Sequence, residues 1–290
     1  MPYHDIVDVP NEGMRRLTRL LQGGGVVVLT GAGCSTESGI PDYRDLNGDW
    51  KRRQPVRYQD FVRSEAARRR YWARSYFGWP QIADAVPNRT HLALARLERS
   101  EHVHSLLTQN VDGLHEKAGS RSVLNLHGCL DQVVCLACGA TAPRSRFQQR
   151  LGDANPQWKW QEVPHAPDGD VDLEGVDFST FRVPCCEYCS GILKPAVVFF
   201  GENVPAQRVR DALQQVRQSK ALLVAGSSLM VWSGFRFIKA AKESGLPIAA
   251  VNLGRTRADD LLDFKITASC GDVLSHVAGQ LIPSSQTEAR

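Results

Sequence analysis

The chain has no apolar run approaching the length of a membrane span, so no helical membrane segment is expected. Its first dozen residues carry Asp5, Asp8 and Glu12 and no apolar core. Neither a secretory leader nor an arginine-rich transit peptide is read there, and a cytoplasmic location is expected. Internal repeats and low-complexity tracts are absent. A large excess of either charge is lacking as well: 35 basic residues face 31 acidic ones, and the net charge of +4 argues against specific nucleic-acid binding as the main role. Eight cysteines without a secretory leader point to metal binding rather than a disulfide framework. What remains is an ordinary globular composition, 42% hydrophobic and 23% charged. At 290 residues there is room for one large domain and a smaller one.

The most telling stretch is residues 26–45, VVVLTGAGCSTESGIPDYRD. Apolar and β-branched residues end at Thr30 and a glycine-bracketed turn, Gly31-Ala32-Gly33, follows. The pattern predicts a buried strand running into a turn and a helix N-terminus, where backbone N–H groups favour a phosphate. Glycines at 31 and 33 would let the chain turn tightly and let a pyrophosphate approach. The third glycine of G-x-G-x-x-G is missing, Thr36 standing in its place, so the glycine pattern alone is weak and a tight turn with no ligand is the alternative. The proline, acid, aromatic and arginine of Ile40-Pro41-Asp42-Tyr43-Arg44 do not belong to an ordinary helix start.

Further strand-length apolar runs lie at residues 103–108, 123–126, 221–225, 248–252 and 264–267. Helical spacing marks residues 11–22, closed by Gly23-Gly24; Pro205 opens a helix to about Arg217, and Ser233 is read as the cap of another ending at Gly245. This alternation predicts an α/β fold: a Rossmann-like parallel sheet with helices on both faces. Two regions break the rhythm, residues 47–87 and 129–190, and are read as a helical insertion and a zinc-binding insertion forming a smaller domain. Residues 1–46, 88–128 and 191–290 would then form the larger, nucleotide-binding one. Between residues 51 and 74 nine basic residues face only Asp60 and Glu65; a solvated helical face is the simplest account.

Cys135-Leu-Ala-Cys138 and Cys186-Glu-Tyr-Cys189 are two C-x-x-C knuckles. Four thiolates so spaced close a tetrahedral structural Zn²⁺ site with no open position for catalysis. Cys185 offers a competing register of poorer geometry, and Cys34 and Cys270 read as small buried apolar residues. In an open parallel sheet ligands bind beyond the carboxyl ends of the strands. Residues 108–113 (TQNVDG), His127-Gly128, Gly226-Ser227-Ser228 and Asn252-Leu253-Gly254 arrive there. Of eight histidines only His127 directly ends such a strand, where an imidazole could act as a general base; a structural histidine is the alternative.

Taken together these blocks resemble one family. GAG-x-S-x-x-SGIPDYR (31–44), TQNVDGLH (108–115), LHG (126–128), the two C-x-x-C pairs, KP-x-VVFFGE (194–202), GSSL (226–229) and VNLG (251–254) are similar to the sirtuins, NAD-dependent protein deacylases. RYWAR (70–74), APDGDVDL (166–173) and NLGRTRADDL (252–261) resemble the class II branch, which includes a mitochondrial lipoamidase and ADP-ribosyltransferase type; the missing leader fits a bacterial relative. Cys34 and Ala196 depart from the residues many members carry there.

The resemblance implies an NAD site at Gly31, Ala32, Gly33, Ser35, Ile40, Pro41, Asp42, Tyr43, Arg44, Gln109, Asn110, Asp112, Gly226, Ser227, Ser228, Asn252, Leu253, Gly254 and Cys270. It implies His127 and Asn110 as catalytic residues, with His127 deprotonating a ribose hydroxyl. One zinc per chain would be held by Cys135, Cys138, Cys186 and Cys189. Val198, Phe199, Phe200 and Gly201 would form an edge strand pairing with an acylated-lysine protein substrate. Tyr71 and Arg74 would meet an acyl group ending in a carboxylate. The expected reaction moves the acyl group from lysine to ADP-ribose and releases nicotinamide. Mono-ADP-ribosyl transfer and lipoamidase-type activity are alternatives. A dehydrogenase is more remote, because no Tyr-x-x-x-Lys pair occurs.

Overall fold

The computed structural model describes residues 11–51, 55–159 and 175–282. Its strands in chain order are β1 (Val26–Thr30), β2 (Val103–Thr108), β3 (Val123–Asn125), β4 (Gly128–Cys135), β5 (Thr141–Pro143), β6 (Leu193–Val197), β7 (Ala221–Ala225), β8 (Ile248–Val251) and β9 (Phe264–Ile266). The helices are α1 (Asn11–Gln22), α2 (Tyr58–Arg63), α3 (Glu65–Asp84), α4 (Arg89–Arg99), α5 (Leu114–Lys117), α6 (Arg144–Ala154), α7 (Ala206–Gln218), α8 (Trp232–Glu243) and α9 (Cys270–Leu281). The segment 166–173 and basic residues Arg52 and Arg53 lie outside the described residues. Among those described, no helix is long and apolar enough to cross a membrane.

Six strands form one all-parallel sheet in the order β3-β2-β1-β7-β8-β9. Parallel strands covered on both faces read as continuous apolar runs, as β1, β7 and β8 do; the edge strands β3 and β9 are half-buried. Alternate side chains of one strand feed opposite faces. Val26 and Val28 pack with Leu17, Leu21, Leu94, Leu97 and Leu274 of α1, α4 and α9. Val27 and Leu29 pack with Ala212, Val216, Phe237 and Ile238 of α7 and α8. The chain leaves β1 for β2 on one side and reaches β7 on the other, so the switch point of the topology falls between β1 and β7.

A second, antiparallel sheet of order β5-β4-β6 was not legible as strands. Its β6 lies in the stretch read as part of the larger unit, yet it pairs with β4. The surrounding core joins α2 and α3 to β4, β6 and α6 through Phe61, Trp72, Val133, Phe147, Leu151 and Leu193. The two insertions thus share one apolar core, larger than the loop-rich sequence suggests.

Two local expectations are corrected. No α-helix follows the glycine turn; the chain makes two single 3₁₀ turns, Ala32–Cys34 and Thr36–Ser38, and turns away at left-handed Gly39. Ser233 does not cap α8: the cap position is Val231 and no side chain caps it.

Candidate active site

Three strand ends meet at the switch point, with Thr30 flanked by Thr108 and Ala225. The turns leaving β1 and β7 are bonded to each other, Gly31 N–H donating to Ala225 C=O at 3.1 Å and Gly33 N–H to Gly226 C=O at 2.8 Å. A Cβ on Gly31 would stand 2.7 Å from Ser227 Cβ. One on Gly226, whose φ is +61°, would stand 2.5 Å from the Cys34 backbone nitrogen. The glycines are therefore required by the approach of one turn to the other, and the neighbouring turn fills the space they leave. Above them opens a cleft of about 840 Å³. Every cofactor and substrate residue named from the sequence lines it except Pro41 and Arg74. Arg74 is half-buried on α3 away from the cleft, whereas Tyr71, on the same helix, reaches it while packed edge-on against Phe61 and Trp72.

His127 follows β3 at the mouth of the cleft. Its Nδ1 lies 2.9 Å from the Gln109 carbonyl and its Nε2 lies 2.8 Å from Ser233 Oγ. A carbonyl only accepts, so Nδ1 carries the proton and Nε2 keeps a lone pair toward Ser233. Burial pushes the imidazole below its ordinary value; Arg208 and Arg236 push the same way and the Gln109 bond opposes them. The ring is neutral at pH 7, as a general base must be. The His127 carbonyl accepts from Val198 N–H at 2.7 Å, tying this histidine to the 198–201 loop.

Beside it, Asn110 donates both amide hydrogens, to Gly31 C=O and Ser35 Oγ, each at 3.1 Å. Ser35 in turn donates to Asp112 at 2.7 Å. Burial pushes Asp112 up, against hydrogen bonds from Leu114 N–H and Ser35. Gln109 spends its side-chain amide on Thr30 C=O and Ser227 Oγ, so it braces the strand ends and holds the His127 ring through its carbonyl. Asn252, beyond β8, turns its amide onto Gly254 C=O.

Residues 198–201 are not an edge strand. They follow β6 as a loop in which Phe200 makes one parallel bridge with Arg57, and Tyr58 N–H donates to Phe200 C=O at 2.9 Å. The buried Lys194 pairs with Glu202 at 3.1 Å, and Glu202 accepts from Phe199 N–H. Phe200 also closes an edge-on aromatic group with Tyr43 and Trp50, against which Arg44 stacks at 4.1 Å. This group joins the proposed cofactor loop to the substrate side; the sequence offered no sign of Trp50 in that place.

The four knuckle thiols converge as expected, with all Sγ atoms within 4.8 Å of one another. Cys135–Cys189 and Cys138–Cys186 Sγ separations are 3.5 and 3.8 Å. A tetrahedron with Zn–S of about 2.3 Å has S···S edges of about 3.8 Å, so the donor set fits the ion. The Cys138 N–H, helped by the Ala137 N–H and opposed by burial, pulls Cys135 down to about 6. Against the Gly191 N–H, the surrounding thiols push Cys189 up to about 12. Four thiolates cannot share this space without a cation. Cys185 stands outside the cluster.

Fold and cleft together define an α/β protein whose ligand site lies at the switch point of a parallel sheet, with a separate thiolate metal module. The chain belongs to the Sir2 family, whose model matches residues 31–233. It is 60% identical over 248 residues to a protein of Bradyrhizobium diazoefficiens named NAD-dependent protein deacetylase 2, covering 86% of this chain and 91% of that one. It is 49% identical over 252 residues to the bovine protein named NAD-dependent protein lipoamidase sirtuin-4, mitochondrial, covering 86% and 80%. A solved structure described as Sir2-p53 peptide-NAD⁺ superposes with a TM-score of 0.75 at 29% identity, covering 92% of this chain and 98% of that one.

Proposed function

We propose that this chain is an NAD-dependent protein lysine deacylase with one structural zinc. The observation that carries the reading is the placement of His127: its Nδ1 lies against the Gln109 carbonyl, which leaves Nε2 as the basic nitrogen, in one cleft with the 31–35 turn and the 198–201 loop. Bound NAD would supply the ribose C1′ from which nicotinamide leaves as the acyl oxygen bonds there, and one water would then release the free lysine and O-acyl-ADP-ribose. The residues of this chain hold and deprotonate. Ser35, Asn110 and Asp112 form a bonded group at the floor, Ser227 and Ser228 present hydroxyls beside the glycine turns, and Asn252 to Gly254 border the far end. His127 takes up the proton released in acyl transfer. The 198–201 loop lines the same cleft, and we assign to it the peptide that carries the modified lysine. The thiolate centre lies in the smaller unit and takes no part in bond making. We assign the two insertions, with β6, to that unit and the rest of the described chain to the NAD-binding one.

The name of the bovine relative favours a second reading within the same chemistry, removal of lipoyl groups. A panel of peptides carrying different lysine acyl groups, read by mass spectrometry with nicotinamide release, tests both. One nicotinamide should appear per lysine freed. Deacylation that continues after NAD is removed would overturn the proposal, and ADP-ribosylated protein without freed lysine would redirect it to ADP-ribosyl transfer.

A further inference from the structure

We infer that Ser233 is a catalytic proton relay, the hydroxyl through which His127 takes the proton of the attacking ribose hydroxyl. The inference rests on the deacylase reading above. Both ring nitrogens of His127 are engaged, Nδ1 with the Gln109 carbonyl at 2.9 Å and Nε2 with Ser233 Oγ at 2.8 Å. Because the carbonyl has no proton to give, the sole basic lone pair of the ring faces the Ser233 hydroxyl.

Ser233 stands in the first turn of α8 and borders the cleft. A serine near a helix start ordinarily turns its oxygen to the free N–H groups of that turn. Here it does not, and His127 is its only hydrogen-bond partner among the described residues. Its lone pairs are left for a hydroxyl arriving in the cleft. The approach of α8 is fixed at the next residue, since a Cβ on Gly234 would stand 2.5 Å from Gln109 Oε1. Gln109 thus sets the distance of the helix that carries Ser233 and, through its carbonyl, the orientation of the ring that Ser233 serves.

In the relay the ribose O–H bond breaks and its proton forms a new O–H bond on Ser233. The proton that Ser233 held passes at the same time to His127 Nε2. The ribose oxygen bonds the electron-poor acyl carbon, and the positive charge carried there ends on the imidazolium, whose Nδ1–H stays on the Gln109 carbonyl. Ser233 is unchanged at the end, and no further reactant is needed.

Two reactions of the full-length protein separate the relay from a packing role. Exchange of labelled nicotinamide into NAD in the presence of acyl-peptide precedes proton removal; release of free lysine follows it. Ser233→Ala should lower kcat for lysine release by about 10- to 100-fold, within the range of a general-base contribution. Exchange and the KM for NAD should stay within about twofold, and Ser233→Thr, which keeps the hydroxyl, should restore most of the rate. Normal lysine release by Ser233→Ala would mean that His127 meets the ribose directly, and would overturn the relay. Parallel loss of both reactions, or failure of threonine to restore, would overturn it in favour of packing. Absence of NAD-dependent deacylation in the unaltered chain would overturn the functional reading and the relay together.

Discussion

Replacing His127 by alanine removes a ring that lines the cleft and is held by two hydrogen bonds. Turnover should fall by about two to four orders of magnitude, while the melting temperature moves by only a few degrees, on the order of 1 kcal/mol per lost hydrogen bond. Near-normal turnover in a folded His127→Ala protein would show that another group is the base. Gly226→Ala should act on the fold itself. Its φ of +61° disfavours any side chain, and the new Cβ would meet the Cys34 nitrogen at 2.5 Å. The left-handed conformation alone costs about 1–2 kcal/mol and the overlap adds more, so thermal stability and NAD binding should drop together; an unchanged melting curve would contradict this. His127 was legible because it directly follows a strand-length apolar run. Ser233 was misread because a hydroxyl ahead of an apolar helical face is itself the cap signal. Nothing in the spacing of Tyr71 and Arg74 reveals that only the tyrosine reaches the cleft.

At the scale of elements, the metal module gives the sharpest test. One zinc per chain is expected by elemental analysis, and replacing Cys135, Cys138, Cys186 or Cys189 by serine should abolish it and lower stability. Cys185→Ser should be mild, because that thiol lies outside the cluster. Chelation should lower the melting temperature without complete unfolding, since Phe61, Trp72, Phe147 and Leu193 give this unit an apolar core of its own. Active protein free of zinc would refute the assignment. The central strands β1, β2, β7 and β8 could be read because nearly all of their residues are buried. The edge strands β3 and β9 are half-buried and showed only as short apolar runs. The antiparallel strands could not be read. In β4 the inward Leu130 and Val133 are separated by exposed Asp131 and Gln132, and β6 carries Lys194 and Pro195. Lys194 is buried with its ammonium paired to Glu202, eight residues on, and donating to the Val197 carbonyl. The 3₁₀ turns after β1 were missed because a glycine turn before small residues also opens an ordinary helix.

The whole molecule carries a pH dependence rooted beneath its cleft. His91 and His115 lie ring to ring at 4.9 Å, and burial lowers them to about 4 and about 3. His91 accepts from Asn88 N–H on Nδ1 and faces Ser35 with Nε2, so its neutral form is part of the hydrogen-bonded floor that includes Asp112. His115 Nε2 meets Thr30 Oγ1 at the end of β1. A histidine depressed in the fold binds its proton only after unfolding, so the unfolded chain holds more protons below about 6.5 and stability falls as pH falls. The loss begins near 6.5 and, for His91, ends near 4. Between pH 7 and 4.5 each of the two buried rings should cost on the order of 2 kcal/mol. His127, lowered by burial, acts in the same direction. Asp112, raised by burial, acts against them as one carboxyl against three imidazoles. Glu37, held down mainly by Arg89, adds its loss only below the ordinary carboxylate range. The urea midpoint should therefore decline steadily from pH 7 to 4.5, and His91→Gln should flatten the decline by about one ring's share. A midpoint constant over that range would mean that these histidines are as accessible to protons in the folded protein as in the unfolded chain.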